Sequence, residues 1–132
     1  MRQTFVLVCV ALFLSSGVNS RKGCEYFKTG VFKMDTDWGG KIHKYRIERD
    51  DSFQVEVNLK TDARTTFRVF WKTPCKYVLK YHSGPTEIKD PAMLAKLKVT
   101  TKMVKTGENY YVFSSTSNLF HNVITDTLWK VE

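Results

Sequence analysis

Cys24 and Cys75 are the cysteines that would remain after removal of an N-terminal leader carrying Cys9. An even count in an oxidising compartment predicts a disulfide between them. Such a bridge would close a loop of about 50 residues and contribute roughly 4 kcal/mol in the chain-entropy account. The alternatives are two free thiols in a core or part of a metal site. A metal site would want further ligands at short spacing, and the chain has no C-x-x-C and no H-x-x-x-H. A bridged Cys75 also has no thiolate to offer as a nucleophile beside a histidine. The sequence contains no G-x-S-x-G, no H-E-x-x-H, no phosphate-cradling glycine loop and no EF-hand. Glu48 and Glu56 could pair as acid and base, but both occupy polar positions of alternating runs and are expected to face solvent. The reading is a non-enzymatic chain, with no catalytic residue, metal or cofactor assigned.

The remaining candidates are binding residues. Arg49, Gln54 and Glu56 could line a polar mouth or meet a partner. They read better as cross-strand partners, with Arg49 meeting a carboxylate across the Asp50-Asp51 turn. Trp71 and Tyr77 are the aromatic candidates. They belong to a set with Tyr81, Tyr110, Phe113 and Trp129 that reads mostly as core, because aromatic residues favour strands and carry a large burial area. A minority of that set could surround a small apolar cavity, as a barrel of about eight strands can hold one ligand.

Positioning these residues falls to a series of strands organised around FRVFWKTPCKYVL at Phe67–Leu79. Phe67, Val69 and Trp71 alternate with Arg68 and Lys72, and Tyr77, Leu79 and Tyr81 alternate with Lys76, Lys80 and His82. Phe70 and Val78 break the pattern. Period-two alternation marks half-buried strands, and Pro74 places a corner between them. Upstream, Tyr26–Met34 reads as a strand with Gly30 at a bulge or close approach, and Asp35–Gly40 as a turn bearing Trp38 at a tip or over a barrel end. Ile42–Arg49 alternates His43, Tyr45 and Ile47 against Lys44, Arg46 and Glu48. Phe53–Lys60 predicts Phe53, Val55, Val57 and Leu59 inward, with Gln54, Glu56, Asn58 and Lys60 outward.

Downstream, Asp90 as N-cap and Pro91 as first helical residue predict one short helix near 90–96. Leu97–Lys105, Tyr110–Ser114 and Val123–Val131 complete the strands, the last with Val123, Thr125, Thr127, Trp129 and Val131 on one face. Thr106–Asn109 supplies a hairpin turn. Eight strand candidates joined by short links predict an all-β antiparallel meander, arranged as a sandwich or closed as an up-and-down barrel.

Residues 1–20 read as a signal peptide: Arg2, an apolar run from Phe5 to Leu14, then small residues with Val18 and Ser20 at the cleavage site. The run is about half the ~20 residues of a membrane span, so a retained anchor is the lesser alternative. Residues 21–132 form one β-rich domain. The chain has a formal net charge of +8, but its basic residues are dispersed. That distribution suits solvated faces and protected sheet edges; in an exported domain it also suits an anionic surface.

Three stretches carry a resemblance: FKTGVF at Phe27–Phe32, RDDSFQVE at Arg49–Glu56 and WKTPCKYVL at Trp71–Leu79. In order and spacing the chain resembles small exported proteins and lipoproteins of Bacteroidetes-type bacteria, some of which carry a DNA topoisomerase IV label that a short exported chain does not support. The resemblance implies export and no particular activity. Many such relatives place their first cysteine for lipid attachment, whereas Cys24 follows Arg-Lys-Gly, so a periplasmic or secreted form without a lipid anchor is expected. The strand succession is more distantly similar to calycin barrels such as lipocalins, which hold apolar ligands. The G-x-W start of those barrels is missing, since Gly30 precedes Val31 and Phe32. A fold analogy does not transfer function.

The resulting expectation is an exported binding module for a protein or an anionic envelope glycan or lipid. The alternative is a small barrel that carries an apolar small molecule. Nucleic acid is not expected in that compartment. The two differ physically: a carrier needs a continuous internal cavity, and a surface binder needs a filled interior with an exposed apolar or charged patch.

Overall fold

A computed structural model describes residues 21–132; the expected leader at 1–20 lies outside them. Eight strands run in chain order around a closed antiparallel barrel, each paired with the next and the last with the first. They are β1 (Gly30–Trp38), β2 (Lys41–Arg49), β3 (Phe53–Asn58), β4 (Arg64–Thr73), β5 (Lys76–Ser83), β6 (Lys98–Thr106), β7 (Tyr110–Ser117) and β8 (Ile124–Lys130). A short helix, α1 (Pro91–Lys96), lies between β5 and β6, and the Asp90 carboxylate accepts the Ala92 backbone N–H at 2.9 Å. Among the described residues, no helix is long and apolar enough to cross a membrane.

The connections sort to two ends. At one end, the floor, lie the turns after β2, β4 and β6 and both ends of the described chain. At the other, the mouth, lie the turns after β1, β3 and β7 and the longer connection containing α1. The floor is plugged by a 3-10 turn, Cys24–Phe27, whose Phe27 is completely buried. The expected strand from Tyr26 therefore begins only at Gly30. Gly30 has φ +136°, and a Cβ there would meet the Glu132 carbonyl oxygen at 2.5 Å, so the close-approach reading of this glycine is the one that applies. Lys22 N–H bonds Gly107 O at 2.9 Å and ties the segment across the floor. The Cys24–Cys75 disulfide, with Cα atoms 5.1 Å apart, fixes the plug to the turn after β4.

The core inside the barrel contains Phe32, Ile47, Val69, Tyr77, Leu79, Met103, Tyr111, Phe113 and Leu128. β4 and β5 face inward as their alternation predicts. The two exceptions, Phe70 and Val78, are direct cross-strand partners. Phe70 is exposed on the outer surface beneath Lys80, whose Nζ lies 5.1 Å from the ring centroid.

β3 departs from expectation. Arg49 pairs with Gln54 and Ile47 with Glu56 across the β2–β3 hairpin, so Gln54 and Glu56 share the inward face of Ile47 and Arg49. Phe53, Val55, Val57 and Leu59 consequently point outward. The cause is the turn: Asp50 N–H bonds Phe53 O at 3.0 Å, while its carboxylate accepts the N–H groups of Ser52 and Phe53, both at 2.8 Å. These bonds fix the register, and with a side-chain period of two the register decides every facing on β3. Hydrophobic alternation yields because Gln54 satisfies buried Arg49, while outward Phe53 packs against Arg68 and His82.

β8 is also turned from the core reading of its aromatics. Ile124, Asp126 and Leu128 pair with inward Ser115, Phe113 and Tyr111. Trp129 and Tyr110 instead stack on the outer surface, with ring centroids 4.9 Å apart.

Candidate functional site

The floor is organised by Arg49, which is only 4% exposed. Its Nε donates to Gln54 Oε1 at 2.8 Å, its Nη1 to Phe27 O at 2.9 Å, and its Nη2 to the hydroxyls of Tyr77 (3.0 Å) and Tyr111 (2.6 Å). The guanidinium carbon also lies 5.0 Å from the Phe32 centroid, 4.6 Å from Tyr77 and 5.9 Å from Trp71. The expected carboxylate partner across the turn is replaced by an amide. Among the described residues the ion pair present is Arg46 with Glu48 on the outer face, at 3.2 Å.

Burial opposes the charged guanidinium, but the Tyr77 and Tyr111 oxygens and the Glu56 carboxylate outweigh it and hold Arg49 above its ordinary pKa. Burial pushes Tyr77 well above its ordinary value, so its hydroxyl keeps its proton. Trp71 stacks on Tyr77 at 4.8 Å, and its buried Nε1 has no hydrogen-bond partner. Arg49 and Trp71 thus belong to the packed floor.

Gln54, Glu56 and Tyr77 reach a cavity above that floor. It measures about 170 Å³ and lies inside the barrel, with apolar walls from Met34, Ile47, Leu79, Val99, Phe113 and Leu128. Its polar wall includes Asp126 and the buried pair Thr101 Oγ1 and Ser115 Oγ, 2.7 Å apart. A second cavity of about 390 Å³ occupies the mouth, lined by Trp38, Tyr45, Glu56, Phe67, Glu87 and Lys89 among others. Trp38 and Glu56 border both cavities. Trp38, the last residue of β1, combines both readings: it is 52% exposed at the barrel end, borders both cavities and packs on His43 (5.1 Å) and Tyr45 (6.1 Å). The segment over the mouth is held by Thr65 Oγ1, which donates to Pro85 O at 2.6 Å.

Glu56 is half-buried, and part of its surface meets the cavity. Burial raises its pKa; the hydrogen bond from Gln54 Nε2, at 3.1 Å, and the nearby Arg49 charge pull it down without offsetting that effect. The folded chain therefore binds this proton more readily than the unfolded chain, and stability falls as pH rises from the ordinary carboxylate range through the raised value. Glu56→Gln should unfold a few degrees higher than the parent near pH 7, with the difference vanishing at about pH 4. Thermal unfolding at both pH values checks this, and a variant less stable at neutral pH would contradict it.

Asp126, Thr101, Ser115 and the mouth aromatics were not among the residues that sequence alone marked for binding. Thr101 stands in phase with inward Val99 and Met103, a usable signal. Asp126 falls between threonines in a strand whose facing is set by β7. Among the described residues no group of three or more His, Cys, Asp or Glu side chains is placed to hold a metal. No protein-family model, curated protein or solved structure matches the chain.

Proposed function

We propose that the protein is an exported, non-enzymatic binder that holds a small molecule with an apolar body inside its barrel. The observation that carries this is the internal cavity of about 170 Å³, which borders the mouth cavity at Trp38 and Glu56. An apolar protein cavity of about 150 Å³ accepts a benzene-sized molecule, so the inner chamber suits one aromatic ring or a short branched chain. The larger mouth accommodates a polar remainder. The disulfide suits an oxidising compartment, in keeping with the leader read at 1–20 and with the resemblance to small exported bacterial proteins.

A second reading uses the same end of the barrel. Trp38, Ile42, Leu59, Phe120 and Val123 are 46–68% exposed and ring the mouth, which suits contact with a protein or envelope surface. Titration with indole, followed through backbone amide shifts, separates the two. Shifts at Leu79, Val99 and Phe113 are expected for the carrier. Shifts restricted to the rim, or none, would overturn it.

A further inference from the structure

Where the two cavities meet, the shared residues are a carboxylate and an indole. Glu56 accepts one side-chain hydrogen bond, from Gln54, and borders both chambers. Trp38, Tyr45 and Phe67 supply three aromatic walls around it. Glu87, from the segment over the mouth, borders the upper chamber, and Asp126, from β8, borders the lower one. Burial raises the pKa of the Tyr45 hydroxyl, and the Glu56 and Glu87 carboxylates add to that effect. Of the nearby cations, Arg49 is fully committed and Lys89 stands at the outer wall with one bond to a neutral carbonyl. Lys89 Nζ donates to Thr86 O at 2.9 Å, and each nitrogen of Arg49 donates to protein acceptors beneath the floor of the chamber.

Resting on the carrier reading, we propose that the ligand is an amine whose ammonium group sits at this junction, paired with Glu56 and packed against Trp38 and Tyr45. Its apolar body enters the lower chamber. Aromatic faces attract a cation through their quadrupole, and a partly desolvated carboxylate adds a charge-assisted hydrogen bond. An anionic head would meet three carboxylates, Glu56, Glu87 and Asp126, against the single ammonium of Lys89 on the upper wall. A neutral apolar ligand would leave the Glu56 carboxylate with the Gln54 hydrogen bond alone at the point where the two chambers meet.

The test compares three ligands of one shape by calorimetry near neutral pH: tryptamine, 3-ethylindole and indole-3-propionate. Tryptamine should bind about tenfold more tightly than 3-ethylindole, with indole-3-propionate weakest. Glu56→Gln should bring tryptamine to within about twofold of 3-ethylindole, whereas the outward Glu48→Gln should preserve the preference. Equal binding of tryptamine and 3-ethylindole by the parent, or a preference that survives Glu56→Gln, would overturn the ammonium site and leave the carrier reading standing. Failure of all three ligands to bind would overturn both.

Discussion

Arg49→Ala is expected to cost about 3–5 kcal/mol of folding stability, from two orphaned buried acceptors at about 1–3 kcal/mol each and the void left behind. The side chain serves four acceptors on different parts of the fold: Gln54 on β3, the Phe27 carbonyl on the plug, Tyr77 on β5 and Tyr111 on β7. Truncation leaves those buried groups to find one another. The two tyrosine hydroxyls can, since they already lie 3.0 Å apart, but Gln54 Oε1 and Phe27 O lose their donor. It also opens a void among Phe32, Trp71 and Tyr77. Arg49→Lys should recover only part of the loss, because one ammonium cannot reproduce a planar fork that bonds in several directions. Denaturant midpoints for the three proteins decide the matter. A loss below about 1 kcal/mol for alanine would show that the network is not what holds the floor.

Removing the disulfide is the second large effect. The bridge spans a sequence separation of 51 residues, and the chain-entropy account assigns a loop of that size about 4 kcal/mol. Its place in the fold adds a local consequence. Cys24 opens the 3-10 turn that buries Phe27, and Cys75 sits in the turn between β4 and β5. Cys24→Ser with Cys75→Ser should therefore lower the unfolding midpoint strongly and loosen the floor before the rest of the barrel. Thermal unfolding, read together with hydrogen exchange at Phe27 and Arg49, measures both. Equal stability of the bridged and unbridged proteins would contradict the pinning role.

How much of this could be read from the sequence varies from strand to strand. β4 and β5 were legible because their inward residues alternate and Pro74 marks the corner. The short helix was legible from Asp90 and Pro91, which supply a cap and a first turn by local chemistry alone. β3 misleads for a physical reason. Its apolar residues alternate cleanly, yet the hydrogen-bonded Asp50–Phe53 turn sets the register and sends Gln54 and Glu56 inward. Buried Arg49 and the cavity above it then give those polar side chains a reason to be inside. The same reversal hid the site, because Glu56 was expected on a solvated face. Trp129 and Tyr110 were expected in the core on aromatic content, whereas pairing with β7 leaves them stacked on the outer wall.

The account stands on the barrel interior being a binding chamber, and blocking that chamber is the most direct test. Val99 points into the lower cavity from β6, and Val99→Phe would fill space that is open in the parent. Indole should shift interior amides of the parent and leave those of a folded Val99→Phe barrel unmoved. Indole shifts of equal size in both proteins, or none in the parent at saturating concentration, would contradict a chamber that binds ligand.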